Sequence, residues 1–527
     1  MPISHGDQLF NLIRSLSKAE KRTFKLYTKR LNKDSDPKFI QLFDILDKQK
    51  TYQEDLIYKR FHQLSKVQLS NLKRHLYTQI LISLRLIHIN KNIDIQIREQ
   101  IDFARILYGK GLYLQSLKLL DRIKTIAETS HQDFLLIEIF EFQKLIESRH
   151  ITRSRKIKNK METLIDESEL RAEVALNTAR LTNLKLKIHG LYIQRGHIRD
   201  EKDRAELENY FKNELKAIHT DKLTFFEKIY YYQTHVWYYY ILLDFVKCYV
   251  NAAKWVEQFD LDQDMKTKDP DLYMRGLHYE LTTLFNLQCY ADFKLTLETF
   301  EQFEARHGQD FNTTSEVICF LYLYTAKLND HFIRGTFAEG IKEVKKIMEK
   351  LELYDPHLDQ HQILVFYYKI AWLYFGNGDY SKSLDYLNRI IYLDVGHLRE
   401  DIQIYSRLLS LIVHYELKNY QFLEYQIPAV LRFMSKLEDQ NVLQKETLSL
   451  LNRLLYKPNE EVLTEIRKFY QKVDKLSHTV EDQKSFVYLD IITWLESKMQ
   501  EKSLQEVIRQ KFNSRQAQRI QALIASL

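Results

Sequence analysis

The chain has 527 residues, 45% hydrophobic and 28% charged, with only 12 glycines and 6 prolines. Ordinary proteins carry roughly 7% glycine and 5% proline, so few positions here can hold left-handed turns or break a helix, and the apolar content excludes a disordered chain. The three cysteines, Cys248, Cys289 and Cys319, are odd in number, far apart and without C-x-x-C spacing, which argues against a disulfide framework and a zinc site.

The opening stretch MPISHGDQLFNLIRSLSKAEKRTF lacks the apolar core of a secretory signal, so a cytoplasmic location is expected. Residues 1–91 hold eighteen Lys/Arg against eight Asp/Glu, a local charge of +10 within an overall +7. The capping-box spacing Ser17-x-x-Glu20 predicts a helix start, with further helices over Pro37–Asp47 and Gln53–Phe61 and then a long one. Residues 1–95 therefore read as a basic helical domain.

On its long helix Leu69, Leu72, Leu76 and Ile80 share one face, and Lys66, Ser70, Lys73, Arg74 and Tyr77 share another. Two short helices before a basic third loosely resemble a helix-turn-helix, which implies nucleic-acid contact through Lys66, Lys73 and Arg74. A plain solvated face is the competing reading. A second basic run, Arg149, His150, Arg153, Arg155, Lys156, Lys158 and Lys160, reads as an exposed hairpin or as an extension of such a footprint.

From about residue 97 apolar residues recur every three to four positions in blocks of amphipathic helix. Two segments align almost residue for residue: Ala104-x2-Leu107-x3-Gly111-x-Tyr113-x2-Ser116-Leu117-x2-Leu120-x-Arg122-Ile123, and Ala371-x2-Tyr374-x3-Gly378-x-Tyr380-x2-Ser383-Leu384-x2-Leu387-x-Arg389-Ile390. This pattern resembles the tetratricopeptide repeat. Fainter copies read at Tyr249-x2-Ala252, Phe293-x2-Thr296, Phe337-x2-Gly340 and Tyr420-x2-Leu423, a period of about 40–45 residues. The resemblance implies an all-α solenoid of helical hairpins over 96–437, with 438–527 as a helical C-terminal cap.

In that family the first helix of each pair lines the concave groove. Carried onto this chain, the groove residues are Val365, Tyr368, Trp372 and Phe375 in the strongest repeat, and Arg98, Ile101, Arg105 and Tyr108 in the first. The residues of the family's carboxylate-clamp versions are missing from the strongest repeat, which leaves recognition of a partner's free C-terminus unsupported. The aromatic run YYYQTHVWYYYILLDF is expected to be mostly core, with Trp237 alone on a concave position. Its surroundings, Ile229 to Val250, are interrupted by Gln233, His235, Asp244 and Lys247, which argues against a transmembrane span.

His357 and His361 have a metal-ligand spacing beside Asp355 and Asp359, but Asp355-Pro356 reads more simply as a helix N-cap and first-turn proline. Phosphate-loop, dinucleotide, zincin and nucleophile-elbow signatures are missing, and Gly109-Lys110-Gly111 has a turn role already. No enzyme activity, cofactor or metal is expected. The first expectation is a cytoplasmic scaffold or adaptor that holds a partner protein or peptide in its groove. The alternative is a nucleic-acid-associated regulator, similar in layout to bacterial regulators that join a helix-turn-helix to tetratricopeptide repeats.

Overall fold

The computed structural model of the chain describes residues 5–31, 38–62, 64–89, 92–149, 160–195, 197–198, 201–393, 399–435, 442–476 and 489–526. They form 25 α-helices and two short 3-10 turns, and no strand occurs among the described residues. The chain divides into two compact units, 1–173 and 174–527.

The first unit opens with α1 (His5–Ser15), α2 (Lys18–Leu31), α3 (Lys38–Lys48), α4 (Glu54–Arg60) and α5 (Lys66–His88). The Ser17 capping box forms: Ser17 N–H donates to Glu20 Oε2 at 2.8 Å, and Glu20 N–H to Ser17 Oγ at 3.2 Å. Ser65 and Gln68 make the same reciprocal pair ahead of α5. Leu69, Leu76 and Ile80 of α5 bury against Ile13, Phe24, Leu42 and Phe43, with Leu72 at the edge of that core, as the spacing predicts. Next come α6 (Ile93–Gly109), α7 (Tyr113–Thr129) and α8 (Asp133–Arg149). Residues 150–159, which hold most of the second basic run, lie outside the described residues. At its two ends Arg149 covers the ring of Tyr108 and Lys160 pairs with Glu147.

The division between the units falls inside α9 (Lys160–Arg195). The second unit continues with α10 (Glu201–Leu215), α11 (Phe225–Ile241), α12 (Phe245–Leu261), the single turn α13 (Met265–Lys268), α14 (Pro270–Asn286), α15 (Tyr290–His307), α16 (Thr313–Arg334) and α17 (Phe337–Tyr354). It ends with α18 (Gln360–Gly376), α19 (Tyr380–Ile391), α20 (Glu400–Glu416), α21 (Tyr420–Met434), α22 (Val442–Leu455), α23 (Asn459–Leu476), α24 (Ile491–Met499) and α25 (Leu504–Ser526). Neighbours in sequence pack as antiparallel pairs, and each pair also packs on the next through α14 on α16, α16 on α18 and α18 on α20.

Eight of the links share one geometry. Gly111, His131, Leu243, Gln288, Gly335, Gly378, Lys418 and Glu501 all have positive φ, between 52° and 82°. In each link the N–H of the following residue returns to a carbonyl five positions back, as Asp244 does to Tyr239 at 3.0 Å and Asp379 to Tyr374 at 2.9 Å. This closure satisfies carbonyls that the helix end leaves open.

Two of the fainter repeat frames are displaced. The left-handed residues are Leu243 and Gln288, so Phe245 and Tyr290 are the turn aromatics instead of Tyr249 and Phe293. Phe337 and Tyr420 stand where the spacing puts them, after Gly335 and Lys418. The bond that locks a pair is also shared: Ser116 Oγ donates to Ala104 O at 2.8 Å, and Cys248 Sγ to Val236 O at 3.4 Å, with the same sequence separation.

The last helix does not continue the row. α25 turns back across the links of earlier pairs: Arg509 Nε donates to Gly335 O at 2.9 Å, Arg515 Nη1 to Gln288 Oε1 at 2.7 Å, and Phe512 meets Tyr290 edge-on at 4.8 Å. No helix among the described residues is long and apolar enough to cross a membrane.

Candidate functional site

α18 carries apolar residues around its whole circumference, in QILVFYYKIAWLYFG, and such a helix is covered on all sides. One side joins the core of α19 to α24, through Leu364, Ala371, Leu387, Leu408 and Leu451. The other faces a cavity of about 1150 Å3 in the second unit, walled by α9, α11, α14, α16, α18 and α20 and by the C-terminal α24 and α25. Rings dominate the wall. Trp237 lies tilted against His189 at 4.4 Å and meets Tyr279 edge-on at 5.4 Å, and His278 lies flat on Tyr322 at 4.1 Å.

Three cations enter this aromatic wall from three helices: Lys185 of α9, Arg275 of α14 and Lys369 of α18. Burial pushes the Lys369 ammonium down to about 8; its Nζ donates to Asn329 Oδ1 at 2.6 Å and sits over the rings of Phe285 and Phe332. Burial, then the charge of Arg275, lowers Lys185. For Arg275 burial opposes the charge, yet Tyr322, Tyr279, Asp271 and Asp269 hold its pKa above the ordinary value. Its Nε is nevertheless buried without a hydrogen-bond partner. None of the three makes an ion pair within the described residues, and burying a cation without one costs several kcal/mol.

The imidazoles answer to the same charges. His278 is pushed down to about 3 by burial and then by Lys369 and Arg275, and His361 to about 4 by burial and then by Arg399. Both are neutral near pH 7. Arg399 Nη1 donates to His361 Nδ1 at 2.9 Å, and the same guanidinium pairs with Asp401 at 2.7 Å. Gln233, only 2% exposed, lines the cavity with an Oε1 that accepts no hydrogen bond. The site is thus rich in donors and flat apolar surface, with one vacant acceptor.

Comparison with family models, with curated proteins and with solved structures returns no match. The chemistry of the cavity therefore has to carry the functional reading.

Of the residues read as groove-lining, Val365, Tyr368, Trp372 and Trp237 come together on this cavity. Phe375 does not. It is 3% exposed and packs in the core with Leu387 and Leu408, because it falls on the side of α18 turned to α19 and α20. Arg98, Ile101, Arg105 and Tyr108 lie in the first unit, and none of them lines the cavity. Ile101 is core there, Arg98 is exposed, Arg105 reaches Glu138 at 3.0 Å, and Tyr108 packs on Phe142. On α5, Lys66 and Arg74 are exposed, whereas Lys73 is held by Tyr52 Oη at 2.7 Å and Glu54 at 3.1 Å.

The cap of α18 is Asp359 in place of Asp355: Asp359 N–H donates to Gln362 Oε1 and its carboxylate accepts from His361 N–H. Asp355 to His357 form a 3-10 turn, and His361 looks into the cavity toward Arg399. Sequence reading missed Lys185, Arg275, Lys369 and His278. Two of them carried a signal, a single cation in an apolar helical run, as in VFYYKIAWLYF and LYMRGL. Such a residue is either paired or poised for something.

Proposed function

We propose that the chain is a binding scaffold, not an enzyme, whose second unit holds a segment of a partner protein in the cavity between the first helices of successive tetratricopeptide-like hairpins. The observation that carries this reading is the wall itself: Trp237, Tyr279, Tyr322, Val365, Tyr368 and Trp372 come from four separate helices and face one space of about 1150 Å3. Small-molecule sites typically enclose about 300–1,000 Å3, and rigid aromatic anchors in a row suit an extended chain better. The vacant Gln233 Oε1 offers an acceptor for a backbone N–H of that chain. A solenoid of such pairs, working in the cytoplasm, is the architecture this reading assumes.

Capture with the tagged full-length chain from its native host tests it. Protein partners that survive nuclease, that are lost with Trp237→Ala/Trp372→Ala and kept with Lys66→Ala/Arg74→Ala, are the expected result. Partners indifferent to the tryptophan pair overturn the groove reading. Nucleic-acid binding through α5 is the less favoured alternative, since Lys73 is already engaged by Glu54.

A further inference from the structure

We propose that the occupant of this cavity delivers an oxyanion, a carboxylate or a phosphoryl group, to Lys185, Arg275 and Lys369. The proposal deepens the groove reading and rests on it. The three side chains reach the same space from α9, α14 and α18, elements far apart in sequence, so their convergence is a product of the fold and not of a local lysine run. Arg275 acts on Lys185, and Arg275 and Lys369 both act on the His278 ring, a common neighbour that lies flat on Tyr322 of the aromatic wall.

The other charged groups on the wall are already engaged. Arg399 is held by Asp401, Lys511 by Glu496 and Thr493, and Arg515 by Gln288. The two wall carboxylates are turned to helix ends, Asp359 accepting from His361 N–H and Asp490 from Thr493 N–H. That leaves Lys185 and Lys369 without a carboxylate partner among the described residues, Lys369 being held only by the neutral Asn329, and Arg275 with Asp269 and Asp271 acting on it from beyond ion-pair distance, its Nε a buried donor in search of an acceptor.

Like-charged groups held together in an apolar surrounding repel one another and are poorly solvated. An arriving oxyanion removes both penalties, and its bonds to charged donors are the strong kind. Neutral His189 and His278, beside the same cations, add N–H donors that impose no further charge. The rings of Trp237, Tyr279 and Tyr322 then cover whatever apolar group carries the anion. A cationic or purely apolar occupant leaves the three charges as they are.

The test uses the purified full-length chain and four small probes with one ring each: phenyl phosphate, phenylacetate, benzyl alcohol and benzylamine. Two of the four tryptophans, Trp237 and Trp372, line the cavity, while Trp255 and Trp494 are 0% and 2% exposed elsewhere, so fluorescence reports the site and calorimetry checks it. Both anions should bind, benzyl alcohol at least tenfold more weakly, and benzylamine weakest of all. Lys369→Met and Lys185→Met should each cut anion affinity tenfold or more, leave benzyl alcohol unchanged, and keep or raise Tm because an uncompensated buried charge is gone. The ratio of phenyl phosphate to phenylacetate affinity tells a phosphorylated source from an acidic side chain.

Equal binding of benzyl alcohol and the anions, no binding of either anion, or anion affinity unmoved in Lys369→Met overturns the proposal. A lowered Tm in Lys369→Met with unchanged anion affinity does so too, since the ammonium would then be structural. These failures separate from that of the groove reading: capture lost with Trp237→Ala/Trp372→Ala alongside silent anion titrations keeps the groove and removes the anion.

Discussion

Ser383 Oγ donates to the carbonyl oxygen of Ala371 at 2.9 Å, joining two antiparallel helices at the point where they cross. Both residues are 0% exposed, and the small pair lets α18 and α19 approach closely. Replacing Ser383 by Ala removes the bond without adding volume and should lower unfolding stability by about 1 kcal/mol. Replacing it by Leu overpacks the crossing and should cost about 1–3 kcal/mol. Guanidinium unfolding of the two variants checks the order; a Leu variant as stable as the Ala one means the crossing is loose.

Gly376 closes α18 against Phe337. A Cβ built on it meets the Phe337 ring at 2.6 Å, and that ring is 1% exposed, packed in the core. Helix propensity alone predicts that Gly376→Ala gains about 1 kcal/mol, whereas the clash predicts a loss of about 1–3 kcal/mol. The clash should win. A rise in the unfolding midpoint for Gly376→Ala refutes the close approach of α17 and α18.

Lys418 holds a left-handed turn at φ 59° with its side chain exposed. Such a conformation costs a residue with a Cβ roughly 1–2 kcal/mol and costs glycine almost nothing. Lys418→Gly should therefore raise stability by up to about 1 kcal/mol, the remainder being offset by the freer unfolded chain. Thermal unfolding of this single variant suffices, and a lower Tm contradicts the turn geometry.

His278 and His361 make stability depend on pH. Their folded pKa values, about 3 and about 4, lie below the ordinary 6.5. As pH falls through 6.5 the unfolded chain takes up protons that the folded chain refuses, so the folded state loses stability steadily from pH 6.5 down to about 4. Above pH 6.5 these two rings contribute no slope. Unfolding midpoints between pH 7 and 5 should fall less steeply in His278→Gln/His361→Gln than in the parent chain; an identical slope removes the assignment.

How much of this was legible depends on where glycine stands. The pairs at Gly111 and Gly378 could be read because glycine marks the left-handed residue and serine the crossing. At Leu243 and Gln288 the same turn is made without glycine, and Cys248 replaces the serine, so the frame slipped to the next aromatic. The cavity's rings were partly legible through Trp237, Val365, Tyr368 and Trp372, because a helical frame carries its facing positions with it. Its cations were not, since their meaning lies in convergence from α9, α14 and α18, which no local pattern encodes. The return of α25 was equally hidden, its bonds spanning 174 and 227 positions.

That return changes how the second unit responds to load. A row of hairpins in which each touches only its neighbours unravels from an end, one pair at a time. Here Arg509, Phe512 and Arg515 clip the tail onto the turns at Gly335, Tyr290 and Gln288. Tension on any middle pair is shared with the tail, so extension in an optical trap should show one cooperative rip where an open row gives a staircase. The same clip ties folding of the early pairs to the arrival of the last helix, a long-range closure that slows the search for the native state.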